Sequence, residues 1–180
     1  MGGKKMLNSC WSRQLSESLK NPARNPVRRL AIVGVGAELN GDDAAGILAV
    51  RKLKNILAAR EDVLVLDSGT TPETAAGPLR KFQPDFVLFI DAAGLGLEPG
   101  AVAWLDPAAI AGASFSTHSF PISVFLGYLQ KELGCEVAVL GIQPQQVEFG
   151  SGLSQPVRKA VNQVARQITS LLVEIPNLKP

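Results

Sequence analysis

Residues 30 to 50 read LAIVGVGAELNGDDAAGILAV, and the fold follows from how that string divides. Leu30 to Val35 is a continuous apolar run, the pattern of a strand buried on both faces of a parallel sheet. Gly34, Gly36 and Gly41 allow a sharp turn. Ile47, Leu48, Val50, Leu53 and Ile56 then recur at helical spacing, which predicts a helix starting near Asp42 with Asp42 and Asp43 in its first turn. A dinucleotide site is excluded, because the third glycine of GxGxxG would fall where Leu39 stands. Two acids also occupy the helix N-terminus that would otherwise hold a pyrophosphate. The acids can cap the helix and, ionised and turned outward, can also serve as hard ligands for a cation, since the same dipole stabilises the ionised form.

Outward from this unit the same rhythm continues. The helix is expected to run to about Leu57. Val63 to Leu66 reads as a second buried strand closing with Asp67, Ser68 and Gly69. Thr70 to Phe82 reads as a loop plus short helix, with Pro72 and Glu73 near its start and Arg80 and Lys81 near its end. Phe86 to Ile90 is a third strand that delivers Asp91. Gly94 to Gly112 breaks the pattern, with Ala101 to Leu105 as an edge or antiparallel strand. The polar loop SFSTHS, residues 114 to 119, carries the only histidine, His118. Pro121 opens a helix to about Leu133, Glu136 to Ile142 is another buried strand, Gln143 to Leu153 a long loop, and Pro156 to about Val173 a closing helix. This order predicts an α/β fold: a three-layer sandwich, phosphorylase/hydrolase-like, whose central sheet is mostly parallel with one antiparallel or edge strand.

Residues 30–175 are expected to form one catalytic domain and 176–180 a frayed end. Residues 1–29 hold seven of the 18 Lys and Arg against one acid, so the rest of the chain is net acidic and a nucleic-acid-binding domain is not indicated. The basic, acid-poor composition of this extension resembles a transit peptide. Leu7, Trp11, Leu15 and Leu19 nevertheless fall every four residues, which favours a short amphipathic helix, and Pro22 and Pro26 mark a linker. Cys10 and Cys135 are the only cysteines and form no CxxC, so neither a disulfide framework nor a thiolate zinc site is available. No apolar run approaches membrane-spanning length, and a soluble cytoplasmic protein is expected.

In an open α/β sheet, ligands bind outside the carboxyl ends of the strands. Asp42 and Asp43, Asp67, and Asp91 all fall there, and the loop holding His118 is placed to fold over the same edge. Asp67-Ser68-Gly69-Thr70-Thr71 matches the signature of pepsin-like proteases, but those need two facing copies on another fold. Asp67 is expected to hydrogen-bond loop backbone instead. A carboxylate ending an apolar strand, as Asp91 does, requires a partner or a cation. HExxH, GxSxG and a P-loop lysine are absent. Carboxylates, one imidazole and a metal are what remain for chemistry.

Gly34-Val35-Gly36 with Leu39, Gly41, Asp42, Asp43 and Gly46, then Leu66-Asp67-Ser68-Gly69-Thr70, Ile90-Asp91-Ala92, Thr117-His118 and Gly141-Ile142-Gln143-Pro144, together resemble the hydrogenase maturation proteases. The hydrogenase 3 maturation endopeptidase branch, which serves formate-hydrogenlyase-type enzymes, is the most similar. The resemblance spans about Leu30 to Ile168. It implies an aspartic-type endopeptidase that clips a C-terminal extension from the precursor of a [NiFe] hydrogenase large subunit after nickel insertion. Carried over by motif, the catalytic and metal-binding residues are Asp43, Asp91 and His118. The nickel is implied to be a recognition element supplied by the substrate, with no organic cofactor and a monomeric enzyme. Two positions depart from the family pattern: Ala37 stands where Asn is usual, and Ala44 where Gly is usual. The competing expectations are a metal-dependent hydrolase of small peptides or nucleosides, and a nickel-checking chaperone that binds the large subunit without cutting.

Overall fold

The computed structural model describes residues 3–20, 27–105, 107, 114–115, 122–175 and 178; the side chains of 3–10 and 114–115 are not among the described parts. The first strand, β1 (Leu30–Gly34), is buried at every position. Its side chains alternate: Leu30 and Ile32 enter one hydrophobic cluster, and Ala31 and Val33 the other. That alternation makes it a central strand with helices on both sides.

Strand β2 (Val63–Asp67) and β3 (Phe86–Gly94) flank β1, both parallel to it. Next to β3 lies β6 (Glu136–Ile142), also parallel, and beyond it β4 (Val102–Leu105) runs antiparallel at the edge. The order is β2-β1-β3-β6-β4. This is the mostly parallel sheet with one antiparallel edge strand that the sequence predicts. On one face pack α1 (Gly3–Lys20), α2 (Ala45–Ile56) and α5 (Gln155–Glu174); on the other, α3 (Ala76–Phe82) and α4 (Ile122–Leu133). Three layers result.

The amphipathic helix expected before residue 22 is α1, whose Trp11, Leu15 and Leu19 are buried in the same cluster as Leu53, Phe86 and Val161. Each such side chain contributes roughly 1.5–3 kcal/mol by leaving water. The linker around Pro22 and Pro26, residue Pro121 and the end expected to fray lie outside the described residues, apart from Leu178, which is buried. Among the described residues no helix is long and apolar enough to cross a membrane.

Three expectations are corrected. Val63 to Leu66, read as a buried strand, is the sheet edge, with Leu64, Val65 and Leu66 only half-buried because among the described residues no strand lies beyond β2. The third strand does not stop at Ile90 but runs on to Gly94, since β6 stays paired with it through Ala92. The extended tip of β3 then recruits part of the segment read as loop: β5 (Ser114–Phe115) pairs antiparallel with Ala93 and Gly94.

Candidate active site

The rim of interest lies where β1 stops and β3 continues. Gly34 is opposite Ile90, and the Val35 N–H donates to Ile90 O at 2.9 Å, the last bond between the two strands. Beyond it the chain turns away at Gly36, whose φ of +145° suits glycine, and there is no room for a side chain: a Cβ would sit 1.9 Å from Asp43 O. The turn leads into a 3-10 segment, Gly41–Ala44, which precedes α2 and packs against β3. Helix α2 crosses the sheet closely because it presents Gly46, where a Cβ would lie 2.1 Å from Ile90 O and 2.3 Å from Val35 O.

Asp42 and Asp43 are therefore both fully buried beside the ends of β1 and β3. Neither acts as a helix cap. Asp42 accepts three backbone N–H bonds from the loop after β6: Gln145 and Gln146 at 2.8 and 3.0 Å on Oδ2, and Ser154 at 2.7 Å on Oδ1. The reading of Asp42 as a cap or ligand is replaced by this one; it is a staple across more than a hundred residues. Asp43 is different. Its Oδ2 accepts the Ala37 N–H at 2.9 Å, while Oδ1 is buried with no hydrogen-bond partner among the described residues.

Asp91 is fully buried on β3, one position past the end of β1 and opposite Gly141 of β6. By alternation it shares the sheet face of Val87 and Phe89, the face covered by α3 and α4. The segment carrying Asp43 packs against β3, the strand that carries Asp91 one position beyond its last bond to β1. His118, the expected third member, lies outside the described residues, and among the described residues no group of three metal-ligating side chains occurs.

The remaining strand-end acid is otherwise engaged. Asp67 accepts Arg51 Nε at 2.8 Å and its own turn's Gly69 N–H at 3.1 Å, the backbone bond expected from the sequence. Arg51 also grips both carboxylate oxygens of Glu38, at 2.7 and 2.9 Å, and that hydrogen-bonded pairing holds the Glu38 carboxyl below its usual range. The fork ties the turn after β1 to the end of β2. Gln143, quoted above only as part of a motif, proves to be a second staple: Oε1 accepts the Leu95 and Leu97 N–H groups at 2.7 and 3.2 Å. Nothing in the sequence near Asp42 or Gln143 signals these partners, because they are backbone groups from distant segments.

The two departures from the family pattern are accommodated. Ala37 contributes its backbone N–H to Asp43, which needs no Asn side chain, and Ala44 has φ −70° and ψ −4°, open to any residue.

A buried carboxylate oxygen without a donor is costly, and a bound cation is one group that offsets that cost. The chemistry of this corner fits a hard or borderline divalent ion reached by oxygen ligands.

Comparison with known proteins bears on what such a corner serves. A family model described as hydrogenase maturation protease matches residues 47–171. The chain belongs to the hydrogenase maturation protease family. The hydrogenase 3 maturation protease of Escherichia coli K12 is 35% identical over 135 residues, covering 74% of this chain and 85% of that one. The crystal structure of a [NiFe] hydrogenase maturation protease, HycI, from Thermococcus kodakarensis superposes with a TM-score of 0.79 at 29% identity, covering 89% of this chain and 99% of that one. The solution structure of the endopeptidase HycI from E. coli gives a TM-score of 0.69 at 34% identity, covering 79% and 90%. The family's α/β fold and its endopeptidase role in hydrogenase maturation are what these likenesses support.

Proposed function

We propose that this protein removes a C-terminal extension from the precursor of a [NiFe] hydrogenase large subunit after nickel has been inserted. The observation that carries the reading is Asp43 Oδ1, a buried carboxylate oxygen left without a donor at the β1/β3 rim of a hydrogenase maturation protease. In this reading the nickel belongs to the substrate. Asp43, Asp91 and His118 reach it, and the neighbouring peptide bond is thereby held in register.

The inclusion of His118 is supported by chain length. Phe115 pairs with Ala93, two residues beyond Asp91, and α4 starts at Ile122 on the face that Asp91 shares. Three residues from Phe115 span at most about 10 Å. An imidazole tethered this way can reach the Asp91 side of the rim.

A carboxylate at the rim takes a proton from water as the water attacks the scissile carbonyl, and returns it to the leaving amine; this makes the enzyme aspartic-type in chemistry. Asp42 and the Arg51 fork hold the two loops that frame the bond. We place the enzyme in the cytoplasm as a monomer.

Mass spectrometry of nickel-loaded and nickel-free precursor incubated with the protein tests the reading. Shortening of the loaded form alone is expected. An intact loaded precursor that stays bound would identify a chaperone instead, and turnover of small peptides or nucleosides with a stoichiometric resident cation would identify a different hydrolase.

A further inference from the structure

Three large apolar side chains stand in solvent beside the corner that holds Asp43. Leu39 is 61% exposed, Val147 43% and Phe149 81%. They come from two loops that touch: the Gly150 N–H donates to Leu39 O at 2.7 Å, and a Cβ on Gly41 would lie 2.5 Å from Ser151 Oγ and 3.0 Å from Gln146 O. Leu39 is two residues from Ala37, whose N–H holds the Asp43 carboxylate.

Neither loop is slack. The Leu39 loop is gripped through Glu38 by Arg51, and the loop carrying Val147 and Phe149 is held near both ends by Asp42, through Gln145 and Gln146 on one side and Ser154 on the other. A surface apolar group is ordinarily free to fold back onto its own chain; these are presented outward by a fixed backbone. Contiguous exposed apolar area of a few hundred Å² on a monomer commonly marks a binding site.

We propose that Leu39, Val147 and Phe149 form a docking ledge for an apolar, acid-free stretch of the precursor polypeptide beside the bond to be cut. This inference rests on the function proposed above. The two loops of the ledge are the ones tied to Asp43 and Asp42, so a chain held for cleavage at that rim lies beside it. Three side chains alone, even fully exposed, do not supply the ~800 Å² per partner of a stable protein–protein interface, which argues against a second copy and for a short extended segment. Glu148, exposed between Val147 and Phe149, adds a negative charge that rejects an acidic segment.

The test compares steady-state processing of nickel-loaded precursor by the full-length protein and by its Phe149→Ser and Leu39→Ser variants. Val173→Ser serves as control: it is 71% exposed, near the far end of α5. Both ledge positions are exposed, so the fold is expected to survive, and circular dichroism checks this. The expected result is a KM raised about tenfold with kcat within about twofold, the signature of lost binding that ground and transition states share, and no change in the control. An unchanged KM in both ledge variants overturns the proposal. So does a wild-type protein that sediments as a dimer and becomes monomeric on Phe149→Ser, which would make the ledge an interface between copies. Should the wild type leave precursor intact, the proposed function fails and calorimetric binding of the same precursor decides the ledge. Binding weakened about tenfold by Phe149→Ser supports it; equal binding, or none, ends it.

Discussion

Asp42 and Asp43 are consecutive and both fully buried, yet among the described residues one carboxylate is saturated by three backbone N–H donors and the other has a single donor on one oxygen and none on its second. The difference separates stability from chemistry within one peptide unit. Asp42 holds the loop after β6, and in the function proposed above Asp43 keeps an oxygen available to the substrate.

Exchange of the two acids should therefore have opposite consequences. Asp42→Ala removes three charge-assisted bonds and leaves their donors buried, so a loss of roughly 3–5 kcal/mol is expected. Asp43→Asn keeps an acceptor for the Ala37 N–H and removes a charge lacking a full complement of donors. Its melting temperature should be equal to or above that of the wild type while precursor cleavage is lost. Thermal denaturation alongside the cleavage assay checks both. A strongly destabilised Asp43→Asn, or an unaffected Asp42→Ala, would contradict this division.

Gly46→Ala is expected to cost about 3 kcal/mol or more, because the added Cβ would fall 2.1 Å from Ile90 O and 2.3 Å from Val35 O and no flexible side chain can yield. Gly127→Ala, on α4 with nothing within 4 Å of a Cβ, should be neutral or stabilising. Urea denaturation of the two variants measures the contrast.

Acid stability should depend on Asp62. Arg60 bonds both of its oxygens at 2.7 Å, with the Leu178 N–H adding a third contact, and the pairing brings its pKa down to about 2. A folded-state pKa below the unfolded value means that the stabilisation is present at neutral pH and is lost as pH falls from about 4 towards 2. A depression of this size corresponds to roughly 2 kcal/mol. Asp62→Asn should lose about that much at pH 7 and show a flatter stability curve between pH 4 and pH 2 than the wild type. Parallel acid limbs for the two proteins would refute the assignment.

Cys135 is buried, and desolvation raises its thiol pKa to about 11. At pH 8 only about a thousandth of it is thiolate, so alkylation in the native state should be slower than in urea by two orders of magnitude or more. Peptide mapping after iodoacetamide treatment reads this directly; rapid native labelling of Cys135 would be the contrary result.

Much of the fold was legible because period and punctuation agreed. The limits of β6, Glu136–Ile142, match the apolar run between a glycine turn and a polar loop, and α5 follows its row of Val157, Val161, Val164 and Ile168. The edge position of β2 was not legible, since Leu64 and Leu66 are as apolar as residues of a central strand, and only the sheet order exposes them. Ser114 and Phe115 carry no alternation long enough to announce a strand; they pair because β3 outruns its neighbours. At the site, Asp91 stood out because it closes an apolar strand, whereas the sequence alone left Asp42 and Asp43 undivided and only the family resemblance singled out Asp43. The task of Asp42 was hidden, because its donors are backbone amides, which every residue but proline possesses.

The first helix bears on how this protein can be trimmed. It packs against β4, the antiparallel edge strand. Contiguous apolar area left exposed is an aggregation liability. A truncated chain beginning at Leu30 would retain every acid of the rim and nonetheless be expected to aggregate, because Trp11, Leu15 and Leu19 would no longer cover the apolar face they share with Phe86 and Val161.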